Sequence, residues 1–202
     1  RRVVGFAMAD HMRTELVSDA LTNALAARDP EPGVIFHSDR GSTYTSNDFA
    51  VLAADLVTAS DARWVLVTAG PSDRQAAHRI LAAAHALARD AAGRIVDAES
   101  LSLAELRAVL EHASLFVGGD SGPMHIAATS DVPIVTIYGP TLPERSAPWR
   151  PAAIPSVAAE PGTLACRPCD QRVCVPGDFR CLTQVTPEAV RDAAFRLLET
   201  RP

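Results

Sequence analysis

Apolar residues fall on alternating strand-like and helical spacings along most of the chain. Residues 1–9 (RRVVGFAMA) mix β-branched and aromatic side chains and predict a strand. Thr14 then offers an N-cap to a helix carrying Leu16, Val17, Ala20, Leu21, Ala24 and Leu25 on helical spacing, which the run DPEPG ends. Residues 34–37 predict a second short strand, followed by the polar loop SDRGSTYTSN and a helix over 48–57. Beyond this the alternation is regular. Strands are predicted at 64–68, 115–118 and 134–138, with helices at 73–89 and 103–112 and a short one after Pro123. Strands separated by helices in this way form a parallel sheet with covering helices. Residues 141–181 are rich in proline, arginine and cysteine, show little periodicity and read as loop. A last amphipathic helix starts at Thr186-Pro187-Glu188, with Val190, Ala194, Leu197 and Leu198 on its apolar stripe.

Composition narrows the class. The 202 residues are 48% hydrophobic, 21% charged and 5% aromatic, which suits a soluble globular protein and excludes a disordered tail or a collagen-like fibre. That length supports one core, or one core with an appendage. The runs RWVLVTAG and PIVTIYG fall short of the roughly 20 apolar residues of a membrane span, and no charged-then-apolar signal segment opens the chain. A cytoplasmic protein without a membrane span is therefore expected. A net charge of −5 speaks against a general nucleic-acid-binding surface. All 19 basic residues are arginine, so no lysine ammonium can meet a phosphate here.

Two stretches carry candidate chemistry. In GGDSGPMH (118–125), glycines at a strand's end admit close approach to the backbone, Ser121 can cap the next helix, and Pro123 suits its first turn. Free amides and the helix dipole at that point attract an anion, although a capped turn without a ligand has the same pattern. Gly139, Pro140 and Thr141 follow the next strand at the carboxyl edge, where ligands bind in open α/β sheets and where a plain turn is the alternative. The cysteines are spaced C-x2-C-x4-C-x6-C at Cys166, Cys169, Cys174 and Cys181. Four such thiols could hold a structural zinc, with free thiols or a disulfide pair as the alternatives.

Two family resemblances cover the chain. RRVVGFAMADHMRTELVSDAL and GVIFHSDRGSTYTS, within residues 1–48, resemble the catalytic core of DDE transposases and integrases. In that family the aspartate of HSDRG, here Asp39, is one of three carboxylates holding two divalent metals. A single carboxylate binds such metals weakly, and the other two have no counterpart in these residues. From Phe49 onward, VLVTAGPSDR, SLSLAELRAVLEHASLFVGGDSGPMHIAA, PIVTIYGPTLPERSAPW, CRPC and CLTQVTPEAV resemble glycosyltransferase family 9, the ADP-heptose heptosyltransferases of lipopolysaccharide synthesis.

This second resemblance implies an α/β fold: a Rossmann-like parallel sheet, the C-terminal half of a GT-B glycosyltransferase, with an N-terminal strand-helix-strand appendage. The domains would be 1–48, transposase-like, and 49–202, nucleotide-sugar-binding, with a Cys-rich loop at 163–182. Residues 34–37 are expected to supply the first strand of the sheet. By resemblance Asp120 binds sugar hydroxyls, Ser121 and Gly122 contact the diphosphate of an ADP-sugar, and His125 lies beside it, with Pro123 and Met124 completing the motif. Leu101 would pack on adenine or serve as ordinary core, and Asp73 would meet the ribose or favour a helix dipole. Arg40 alone could approximate the family's diphosphate-facing lysine. The resemblance implies no required cofactor.

The family's acceptor domain and catalytic base have no counterpart here, so no catalytic residue is assigned. The expectation is a donor domain binding an ADP-sugar such as ADP-heptose for transfer to a lipopolysaccharide-type acceptor, with turnover requiring a separate acceptor-binding domain. The alternatives are a DDE transposase fragment, DNA-related and catalytically incomplete, and an inactive relic of a fusion.

Overall fold

The computed structural model describes residues 46–70, 73–98, 101–169 and 174–199. The chain divides into two units, Arg1–Arg40 and Gly41–Pro202, and every described residue belongs to the second. The strands predicted at 1–9 and 34–37, the helix after Thr14 and the placing of 34–37 in the sheet lie outside the described residues.

The elements begin with α1 (Ser46–Thr58), β1 (Val65–Val67), α2 (Arg74–Ala88) and, after a 3₁₀ turn, β2 (Ile95–Asp97). There follow α3 (Leu103–His112), β3 (Phe116–Gly119), α4 (Gly122–Ala127), β4 (Ile134–Ile137), α5 (Pro143–Ser146), β5 (Ser156–Ala159), α6 (Arg180–Thr183) and α7 (Pro187–Glu199). All pairings are parallel: β1 lies beside β2, and β3-β4-β5 form a second sheet centred on β4. β5 falls inside the stretch read as loop, and β2 carries no strand prediction. Both are corrections. Each is only three or four residues long and is held by pairing with a distant strand, which local periodicity does not register.

β4 is buried along its whole length because helices cover both of its faces. Its side chains alternate accordingly. Val135 and Ile137 join Leu52, Ala159, Val185, Val190, Ala193, Ala194 and Leu197 under α1 and α7. Ile134 points the other way, into the cluster of Leu106, Leu110, Met124, Ala127 and Val132 beneath α3 and α4.

α1 is two-sided. Leu52 faces the first cluster, while Ala50, Ala53, Ala54 and Val57, spaced by three and four, pack against Leu81, Ala84 and Ala88 of α2. Alanine at those positions lets the two helices approach closely. The end of α1 is capped by Arg94, whose Nη1 donates at 2.8 Å to the Val57 carbonyl, a group that a helix terminus otherwise leaves unpaired, and at 2.6 Å to the Ser60 carbonyl just beyond.

α3 begins and ends where its sequence signals say. Ser102 and Glu105 form a reciprocal capping box: the Glu105 amide donates to Ser102 Oγ at 3.3 Å, and the Ser102 amide donates to Glu105 Oε2 at 2.8 Å. These bonds to Ser102 hold the Glu105 carboxyl below its ordinary value.

Candidate functional site

β3 and β4 run side by side in register, Gly118 opposite Thr136 and Gly119 opposite Ile137, so their exit loops leave at one edge of the sheet. Asp120 and Ser121 follow β3, Gly122 and His125 stand on the short helix α4 that comes next, and Gly139 and Thr141 follow β4.

Glycine has two different reasons here. A Cβ on Gly118 would lie 2.7 Å from the Phe116 ring, so Gly118 makes room for the protein's own core. A Cβ on Gly122 would meet nothing within 4 Å, so the turn is open on that side.

Ser121 does not cap α4 through its side chain. Its Oγ donates instead to the Gly119 carbonyl at 3.3 Å, and its own carbonyl accepts from the amides of Met124 at 3.1 Å and His125 at 3.3 Å. Pro123 sits in the first turn, where its missing amide costs nothing. The free donors are thus narrowed. Among the described residues, the Ser121 and Gly122 amides donate to no protein acceptor.

The Asp120 carboxylate is largely sheltered, with 12% of its side chain exposed. Its Oδ2 accepts from Ser146 Oγ at 2.7 Å, and its Oδ1 lies 3.9 Å from His125 Nε2, an ion pair whenever that half-exposed imidazole is protonated. Tyr138, 1% exposed, donates from its hydroxyl to the Ser146 carbonyl at 3.4 Å. Burial pushes the Tyr138 phenol up to about 12, with the negative charge of Asp120 acting in the same direction.

The sign of the linkage follows. A tyrosine harder to ionise in the folded state contributes stability that is complete below about pH 10, its unfolded value, and is lost as pH climbs through about 12. Unfolding free energy from urea titrations should therefore fall more steeply between pH 10 and 12 in the parent protein than in Tyr138→Phe. Parallel pH curves would refute this.

The remaining expected site residues are engaged by the protein itself or lie beyond this edge. Met124 is fully buried and supports the turn from beneath. Leu101 packs against the Leu106–Leu110–Met124 cluster. Asp73 occupies the N-cap position of α2, beyond β1, without a side-chain capping bond. The face of Gly139 is filled by the Leu182 side chain, with the Cys181 carbonyl close behind. Thr141 is exposed, and its carbonyl accepts from Arg167. Arg40 lies outside the described residues.

The four cysteines are free thiols, and each is partly buried. The Cys169 amide donates to the Pro140 carbonyl at 2.9 Å, which draws the Cys-rich loop against the exit of β4. Burial pushes the Cys181 thiol up, and negative charge on Cys174 and Cys166 does the same. Among the described residues no group of three or more His, Cys, Asp or Glu side chains is placed to hold a metal ion. The described thiols are not arranged as a zinc site.

Ser146 and Arg167 escaped the sequence reading. Arg167 is 3% exposed, pairs with Glu160 at 2.7 Å and donates to the carbonyls of Gly139, Thr141 and Gly162. It belongs to a cleft of about 350 Å³ lined also by Leu142, Glu144 and Leu164. With most of the Arg167 donors already taken by the protein and the carboxylates of Glu144 and Glu160 on the wall, this cleft is poorly suited to a diphosphate.

The parallel α/β arrangement, with the exit loops of β3 and β4 at the carboxyl edge of the sheet, is Rossmann-like. Residues 38–176 match glycosyltransferase family 9 (heptosyltransferase), and the chain belongs to that family. Residues 1–61 match the integrase core domain. The chain is 38% identical over 85 residues to lipooligosaccharide heptosyltransferase 2 of Campylobacter jejuni, which is 42% of this chain and 26% of that protein.

Among solved structures, Escherichia coli ADP-heptose lps heptosyltransferase II superposes with a TM-score of 0.61 at 22% identity, over 77% of this chain and 42% of that one. E. coli heptosyltransferase WaaC with ADP superposes with a TM-score of 0.53 at 21% identity, over 80% and 42%. The mixed α/β fold with parallel sheets is shared with under half the length of each of these GT-B heptosyltransferases, as the sequence implied. The chain spans about a quarter of the curated relative and under half of each solved structure. No helix among the described residues is long and apolar enough to cross a membrane.

Proposed function

We propose that residues 49–202 are the donor-binding domain of a heptosyltransferase-like glycosyltransferase, holding an ADP-sugar such as ADP-heptose at the 118–125 turn. Transfer to a lipopolysaccharide-type acceptor would then use an acceptor-binding domain that also brings the base which removes the acceptor's proton. The observation that carries this reading is the family match over 38–176, which takes in both exit loops of the β3-β4 edge.

Chemically, the Ser121 and Gly122 amides, which donate to no protein acceptor among the described residues, suit the oxygens of a diphosphate. His125, when protonated, adds positive charge beside them. The Asp120 carboxylate accepts hydrogen bonds only, which suits the hydroxyl donors of a sugar. The solved E. coli relative carrying ADP is in keeping with such a donor. Residues 1–48 are read as a separate integrase-like segment.

Calorimetric titration of the full chain with ADP and with an ADP-sugar tests the proposal. Saturable heat from both ligands is expected. Heat from neither, or binding to duplex DNA with a steep salt slope in their place, would overturn it.

A further inference from the structure

The strongest unassigned contact in the site comes from outside the motif. We propose that Ser146 is a positioning residue that sets the Asp120 carboxylate in the orientation needed to grip the sugar of the donor. This inference rests on the donor-site reading given above.

Ser146 closes α5, 26 residues from Asp120 in sequence, and its Oγ donates to Asp120 Oδ2 at 2.7 Å. The same Oγ lies 3.4 Å from the Leu142 carbonyl, but a hydroxyl has one proton, and the shorter approach to a charged acceptor takes it. Ser146 is itself pinned, because its carbonyl accepts from the buried Tyr138 hydroxyl just past β4. Tyr138 keeps its proton through neutral pH, so the donor of this contact is present there. A rigid path thus runs from the central strand through Tyr138 and Ser146 to one oxygen of Asp120.

The consequence concerns the other oxygen. With Oδ2 engaged by Ser146, rotation of the carboxylate is restricted, and Oδ1 is left on the side of His125. Sugar hydroxyls are directional donors, and adjacent hydroxyls need an acceptor whose lone pairs are aimed beforehand. An unanchored carboxylate would have to be frozen on binding, at a cost in side-chain entropy. The diphosphate takes its contacts from backbone amides and does not depend on this orientation. Ser146 should therefore influence the sugar and leave the nucleotide alone.

Ser146→Ala and Ser146→Thr, in the full chain, separate the possibilities. The expected result is a loss of ADP-sugar affinity of about tenfold in Ser146→Ala, as for one charge-assisted hydrogen bond, with ADP affinity within about twofold of the parent. Ser146→Thr keeps the hydroxyl and should restore ADP-sugar binding. Retained ADP affinity also shows that the variant is folded.

Equal losses for both ligands would mean that Ser146 only supports the fold, and no loss for either would mean that Asp120 needs no anchor. Either result overturns the inference while leaving the donor site intact. A parent protein that binds neither ligand removes the donor site itself, and the inference with it.

Discussion

Arg167→Met should lower the unfolding free energy by about 3 kcal/mol, the low end of the range for breaking a buried ion pair. The side chain is 3% exposed and joins two strand exits, through Gly139 and Thr141 after β4 and through Glu160 and Gly162 after β5. Removing it strands the Gly139 carbonyl, in a buried residue, and leaves Glu160 without its cation. Because Glu160 is 37% exposed and can rehydrate, the loss stays well short of the full cost of burying a lone charge.

A control separates burial from distance. Arg180 approaches Asp178 to 2.6 Å, closer than Arg167 approaches Glu160, yet both partners are 46% exposed. Arg180→Met should leave the urea midpoint unchanged, since exposed pairs gain little over their hydrated, mobile alternatives. Equal shifts in the two variants would show that the clamp at Arg167 is not what stabilises the strand exits.

Asp120→Ala should weaken ADP-sugar binding by about a hundredfold, since two charge-assisted hydrogen bonds to sugar hydroxyls are each worth about 1.5 kcal/mol. ADP without its sugar should behave differently. Removing an anion from beside the diphosphate relieves repulsion, so its affinity should hold or rise slightly. The ratio of the two affinities, measured by calorimetry, is the deciding quantity. A parallel collapse of both would assign Asp120 to shaping the turn and not to holding the sugar.

The parts of the fold legible in the sequence are those whose signals are local. α3 carries its own start signal in Ser102 and Glu105, and β4 advertises itself as a run of β-branched residues, IVTI. β5 has no such signature. SVAA is short and alanine-rich, lies just after Pro155, and owes its strand geometry to backbone bonds with β4.

The site divides in the same way. Asp120, Gly122 and Pro123 are visible because one contiguous motif holds them. Ser146 and Arg167 reach the same edge from 26 and 47 positions beyond Asp120, and no spacing rule connects them to it. The side-chain cap expected of Ser121 is missing for a subtler reason. A hydroxyl at an N-cap position can bond the helix amides or the preceding carbonyl, and here the Gly119 carbonyl takes its proton.

The helix α1 lies across the overlap of the two ancestries, since the integrase match runs to residue 61 and the glycosyltransferase match begins at 38. Trimming away the foreign stretch by following its match to the end would excise the wall shared by two of the three apolar clusters. Whatever its origin, that seam has become a joist, and any shortening from the amino end has to stop before Ser46.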